Sequence, residues 1–183
     1  MTTIQTERLT LRPYVATDAM RVLETQSRFD VVRWISDPPH TTMKTIDEAH
    51  TWIQKWAEVA KGGPYDVGYA IEVTKTGVLA GTVMVVPLPN NDYGERQIGW
   101  TLHPDSAGHG YATEAARALL DRTFMAGLEE IWCDMYPDNA PSAAVAERLG
   151  LRPLGVVPDP WYGNEGRLFH LTRDQWLERQ PRE

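Results

Sequence analysis

Gly108-His109-Gly110-Tyr111-Ala112-Thr113-Glu114-Ala115 reads as a glycine-rich loop that runs straight into the first turn of a helix. The leading amides of a helix have no partner inside it, and the helix dipole adds roughly half a positive charge at that end. Gly108 and Gly110 lack the Cβ that would hold a ligand away or forbid positive φ. Successive amides from Gly108 through His109, Gly110, Tyr111, Ala112 and Thr113 can therefore close on a pyrophosphate. The same residues also suit a plain tight turn before a surface helix, so the flanking sequence has to decide.

Upstream of the loop, Asp66 to Val73, Val78 to Val86 and Glu95 to Leu102 are rich in Val, Ile, Thr and aromatic residues. Lys75-Thr76-Gly77 and Pro89-Asn90-Asn91-Asp92-Tyr93-Gly94 separate them, which predicts an antiparallel meander. Downstream, Tyr111 to Ala126 carries one apolar face (Ala112, Ala115, Ala116, Leu119, Leu120, Phe124) and Gly127 closes it. Glu130 to Met135 then reads as a strand, Asn139 to Leu149 as a helix ending at Gly150, and Leu151 to Val157 as another strand. That alternation favours helices on a sheet with parallel pairing in this half. A last strand, Arg167 to Leu171, leads into a short helix holding Trp176 and Leu177.

In the first third, Glu7 to Pro13 alternates as a half-buried strand, and Thr17-Asp18 opens a helix reaching about Arg28. A short second helix holds Val31, Val32, Trp34 and Ile35 before a turn at Pro38-Pro39. Thr45-Ile46-Asp47-Glu48 is a capping box opening a helix to about Lys61, with Trp52 and Trp56 as core knobs.

The 183 residues are 42% hydrophobic and 23% charged, which suits one globular domain over 1–183 that buries roughly 70% of its unfolded surface. A net charge of −7 argues against nucleic acid as the main partner. No apolar run is long enough for a bilayer and the first residues do not read as a leader, so no membrane partner and a cytoplasmic location are expected. Cys133 is the only cysteine, and the five histidines are scattered, so neither a disulfide nor a metal site is expected. Flanked by Ile131, Trp132 and Met135, Cys133 reads as a small strand hydrophobe.

Gln97-Ile98-Gly99-Trp100-Thr101-Leu102-His103-Pro104 followed by Ala107-Gly108-His109-Gly110-Tyr111-Ala112-Thr113-Glu114-Ala115 resembles the fourth strand and pyrophosphate loop of the GCN5-related N-acetyltransferase (GNAT) superfamily. Asn139-Ala140-Pro141-Ser142 with Val145, Glu147, Arg148, Leu149, Gly150 and Leu151 is similar to the asparagine–serine helix of that superfamily. Thr6-Glu7-Arg8-Leu9-Thr10-Leu11-Arg12-Pro13 looks like the first strand of its ribosomal-protein alanine acetyltransferase (RimJ/RimL-like) branch. The resemblance implies a single α/β domain. Its sheet would be mixed, mostly antiparallel and six- to seven-stranded, with helices on both faces and a strand pair splayed for acetyl-CoA. The superfamily's loop usually begins with Gln or Arg where this chain has Ala107. That costs a side-chain contact and leaves the backbone amides in place.

The implied activity is direct attack of a primary amine, from a protein N-terminus or a small molecule, on acetyl-CoA, with no metal. By resemblance, backbone groups around Trp100, Leu102 and His103 would hold the pantetheine arm, and a strand amide near Thr101 or Leu102 would polarise the thioester. Ser142 matches the family's proton donor to the departing thiolate, and Asn139 would bond the arm; each also suits ordinary helix-start chemistry. The branch often carries Glu where this chain has Gln97, and an amide cannot accept a proton. Glu95, two residues earlier on the same strand face, could take over as base, or could be a solvated charge near the turn. His103 has a suitable intrinsic pKa but sits at the cofactor end. Trp34, Trp161 and Tyr162 are the acceptor-site candidates, the last two on a polar, exposed-looking loop from Pro158 to Gly166 whose Asp159 and Glu165 suit a cationic amine.

A dinucleotide-binding oxidoreductase fails because its third glycine would fall at Thr113 and a meander precedes the loop. A non-catalytic acetyl-CoA sensor stays open, because of Gln97. Edge strands and the Trp161–Trp176 region are compatible with a homodimer, which nothing in the sequence requires.

Overall fold

The computed structural model describes residues 2–91 and 93–179; Asp92 of the predicted turn and the outermost ends of the 1–183 span lie outside the described residues. The strands are β1 (Ile4–Gln5), β2 (Leu9–Arg12), β3 (Val67–Val73), β4 (Val78–Pro87), β5 (Arg96–Leu102), β6 (Glu130–Met135), β7 (Arg152–Pro158) and β8 (Glu165–Thr172). The helices are α1 (Ala19–Gln26), α2 (Phe29–Val32), α3 (Ile46–Val59), α4 (Tyr111–Met125), α5 (Ala140–Leu149) and α6 (Arg173–Leu177).

Among the described residues the strands form one eight-stranded sheet in the order β1-β2-β3-β4-β5-β6-β8-β7. This exceeds the six to seven strands expected. The difference is β1, whose two residues pair Ile4 with Leu11 and Gln5 with Thr10 and are too few to leave a periodic signal. Parallel pairing is also narrower than expected. Among the described residues only β5 and β6 meet in parallel, because β8 folds back between β6 and β7 and pairs antiparallel with both.

Strand alternation builds two cores. Tyr69 and Ile71 of β3, with Leu9, Leu11, Val83, Val85, Ile98 and Ile131, face α4 and α5. Ala70 and Leu79 face α1 and α3. On α4, Leu119, Leu120 and Phe124 are fully buried, each stabilising the fold by about 2 kcal/mol, so the helix behind the glycine loop is firmly seated. Opposite, Trp56 of α3 lies flat on Gly68, where a Cβ would stand 2.0 Å from the indole. Thr45 caps α3 by accepting from the Glu48 amide, and the Glu48 carboxylate accepts from the Lys44 amide, one residue before the expected partner.

Candidate active site

β5 and β6 are in register at Gln97 and Trp132, and beyond that point they part. On its other side β5 stays paired with β4 throughout, flanked by Leu88 N donating to Glu95 O (3.0 Å) and His103 N donating to Ala80 O (2.9 Å). Antiparallel bonding alternates, so Gln97, Gly99 and Thr101 also turn their backbone groups toward β4. The amides and carbonyls of Trp100 and Leu102 therefore point into the opening, where they suit an amide-bearing chain such as a pantetheine arm. The His103 imidazole turns away, accepting from the Asp105 amide at 3.3 Å and capping the turn Pro104–Ser106.

The glycine loop stands at the wide end of this opening. Gly108 and Gly110 both have φ of +79°, and Gly110 is the residue from which α4 starts. Among the described residues, the amides of 108–113 donate to no protein acceptor, and Glu114 N is the first to do so, to Gly110 O at 3.1 Å. Arg8 fixes the loop from the turn just ahead of β2. Its Nη1 donates to His109 O (2.9 Å), while Nε and Nη2 reach Glu114 Oε2 at 2.7 and 2.6 Å. Burial alone would raise the Glu114 carboxyl, but bonds from the Thr6 hydroxyl and from the Arg8 amide and guanidinium hold it below its ordinary range. The His109 ring stacks on Tyr111 at 5.3 Å. A cleft of about 1140 Å³ joins Gly108, Gly110, Tyr111, Ala112 and Thr113 to Trp100, Leu102, Asn139 and Ser142. Free amides at a helix start and an unpaired strand edge in one cleft fit the diphosphate and arm of acetyl-CoA.

Asn139 is buried and caps α5, its Oδ1 accepting from Ser142 N at 3.3 Å. Both residues line a second cavity of about 480 Å³ that meets the first at Trp34, Ile35, Trp100 and Thr101. Trp34 sits at this junction with Arg33 over its ring at 4.2 Å, and Tyr136 donates to Ser36 O at 2.7 Å. Tyr162 lines the second cavity, accepting from Gln97 Nε2 at 2.5 Å. Trp161 does not. Rather than being exposed it is 4% accessible, packed with Leu88 and Leu168 against Trp132, because the loop tucks its indole under the sheet end. The Trp161 indole donates to Glu95 Oε2 at 3.0 Å. Glu95 lies outside the lining of both cavities, so its carboxylate braces the Trp161 loop.

Another carboxylate faces the second cavity. Asp134, at the parting end of β6, lines it together with Asp37, Asp159 and Glu165. Burial first, and then the charges of Asp159 and Asp37, push the Asp134 carboxyl up to about 7. Its signal in the sequence is slight: alternation puts Ile131, Cys133 and Met135 on the core face and Asp134 on the other, shortly before the motif helix in the chain. Cys133 is buried and its thiol is pushed up by burial, so it stays protonated. Among the described residues no helix is long and apolar enough to cross a membrane, and no group of three His, Cys, Asp or Glu is placed to hold a metal.

The acetyltransferase (GNAT) domain model matches residues 8–152. An uncharacterized N-acetyltransferase, p20 of Bacillus licheniformis, is 28% identical over 181 residues, 98% of each chain. Among solved structures, a GNAT-family acetyltransferase from Bacillus anthracis aligns with a TM-score of 0.77 at 24% identity, over 94% of this chain and 99% of that one. RimJ of Mycobacterium smegmatis, in complex with CoA-disulfide, aligns with a TM-score of 0.75 at 22% identity, over 91% and 83%. These findings disfavour the non-catalytic sensor. With the splayed strands and free loop amides already pointing the same way, the chain belongs to the GNAT acetyltransferase family and is an acetyl-CoA-dependent N-acetyltransferase.

Proposed function

We propose that the acceptor is a primary amine, positively charged in solution and attached to an apolar or aromatic body, that enters the cavity of about 480 Å³ and meets the thioester beside Ser142. The observation that carries this reading is the composition of the cavity wall. Trp34, Trp56, Tyr136 and Tyr162 supply flat apolar and cation-attracting surface, and Asp37, Asp159 and Glu165 supply negative charge.

Bound acetyl-CoA supplies an activated acyl group. The amides of 108–113 hold its diphosphate, and the inward backbone groups of Trp100 and Leu102 hold its arm. The inward-pointing Trp100 amide lies where the arm cleft meets the acceptor cavity and stabilises the developing oxyanion. Asn139 orients the arm while keeping the α5 start in place, and the Ser142 hydroxyl gives its proton to the departing sulfur. Tyr162, held by Gln97, shapes the acceptor wall, and Glu95 keeps that wall in position through Trp161.

The test is release of free thiol from acetyl-CoA in the presence of 2-phenylethylamine, spermidine and an alanine-initiated hexapeptide. Turnover is expected to be fastest with 2-phenylethylamine, whereas a strong preference for the peptide would move the acceptor to protein N-termini. Ser142→Ala is expected to lower kcat about a hundredfold while leaving coenzyme A affinity unchanged. A Ser142→Ala protein with undiminished kcat removes that role.

A further inference from the structure

With Gln97 unable to take a proton and Glu95 held by Trp161, the acceptor ammonium needs another base. We infer that Asp134 is that base, and that it shares a single proton with Asp159 across the acceptor cavity. The inference rests on the transfer reading above and deepens it.

Three observations of geometry support the pair. Asp134 lies on β6 just past the point where β5 and β6 part, and it lines the cavity that holds Ser142. Its Oδ1 is shielded from solvent and has no hydrogen-bond partner among the described residues, although a buried anion left in that state is costly. Gly166 makes room for it: a Cβ there would stand 2.5 Å from Asp134 Oδ1 and 3.3 Å from Asp159 Cβ.

Asp159 is the member of the pair held by backbone amides. Its Oδ1 accepts from the amides of Trp161 (2.8 Å) and Tyr162 (3.2 Å), and its own backbone closes the 159–164 turn. Two carboxylates so close cannot both ionise easily, so the proton stays on Asp134 until the medium approaches neutrality. Asp37 and Glu165 add negative charge around the cavity, Lys55 of α3 adds a positive one, and Tyr136 and Tyr162 are neutral there. The upward shift of the Asp134 carboxyl agrees with this arrangement.

The reaction balances. Ionised Asp134 takes one proton from the acceptor ammonium and later loses it to water. The freed nitrogen pair forms the C–N bond, the C–S bond breaks, and sulfur takes the Ser142 proton. Ser142 recovers that proton from the acylated nitrogen, leaving an amide, free thiol and one proton in solution.

The experiment measures kcat and kcat/KM for 2-phenylethylamine against pH at saturating acetyl-CoA, for the natural protein, Asp134→Asn and Asp159→Asn. Coenzyme A affinity, measured calorimetrically, serves as the check on folding. The natural protein is expected to gain activity through an inflection near the Asp134 value of about 7. In Asp159→Asn the inflection is expected to move lower by about one pH unit. In Asp134→Asn kcat is expected to fall about a hundredfold and the inflection to vanish, with coenzyme A affinity retained. Titration of 13C-labelled aspartate carboxyls reads the shared proton without turnover, and it covers the case in which Asp134→Asn fails to fold. Undiminished kcat in Asp134→Asn, or no carboxyl titrating near neutrality, overturns the inference alone. A natural protein that binds coenzyme A but acetylates no amine overturns the transfer reading with it.

Discussion

Arg8 Nη2 lies 2.6 Å from Glu114 Oε2, tying the turn that leads into β2 to the first turn of the helix that follows the glycine loop. The same guanidinium holds the His109 carbonyl at 2.9 Å, so the loop amides stay turned toward the cleft before any ligand arrives. Arg8→Ala is expected to raise the Kd for coenzyme A roughly tenfold by loss of this preorganisation, with little change in kcat. Isothermal titration calorimetry checks it.

Gly108 has open space where a methyl group would project but a φ of +79°, so the cost of a side chain there is conformational. Gly108→Ala is expected to strain the loop by about 1–2 kcal/mol and to weaken coenzyme A binding in proportion. The melting temperature of the free protein is expected to fall by only a few degrees. Parallel calorimetry and thermal denaturation separate the two effects.

Trp56 fills the notch above Gly68 and also lines the acceptor cavity, so packing there is coupled to specificity. Gly68→Ala is expected to displace the indole, cost about 1–3 kcal/mol of stability, and raise the KM for the amine while leaving the Kd for coenzyme A alone. Urea denaturation and steady-state kinetics report on each.

Asp134 also leaves a signature in stability. Its folded carboxyl is raised from an ordinary 3.8 to about 7, so between those values the folded state binds more proton than the unfolded one. Stability from this group is therefore fully present below about 3.8 and is lost as pH rises toward about 7. Asp134→Asn is expected to gain melting temperature relative to the natural protein at pH above this window and to show little difference below it. Thermal scans across the window test the sign.

The glycine loop and α4 are legible in the sequence because their signals are local: a left-handed glycine, a helix start and an apolar face are all written within one short stretch. β6 matches its expected span, Glu130 to Met135, for the same reason. The place of β8 between β6 and β7 is not legible, because it depends on pairing between segments distant in sequence. Trp161 looks exposed from the polarity of its neighbours, yet Glu95 satisfies its indole and frees the ring to be buried. Asp134 escapes a reading of the sequence because its character comes from Asp159 and Gly166, which reach it only in the folded sheet.

The free amides of residues 108–113 are proposed to bind the diphosphate of coenzyme A. An 15N-labelled protein titrated with coenzyme A, and separately with pantetheine, tests it most directly. Coenzyme A is expected to shift the amide resonances of Gly108, Gly110, Tyr111, Ala112 and Thr113, and pantetheine to leave them in place while shifting Trp100 and Leu102. Loop amides unmoved by millimolar coenzyme A would contradict the account.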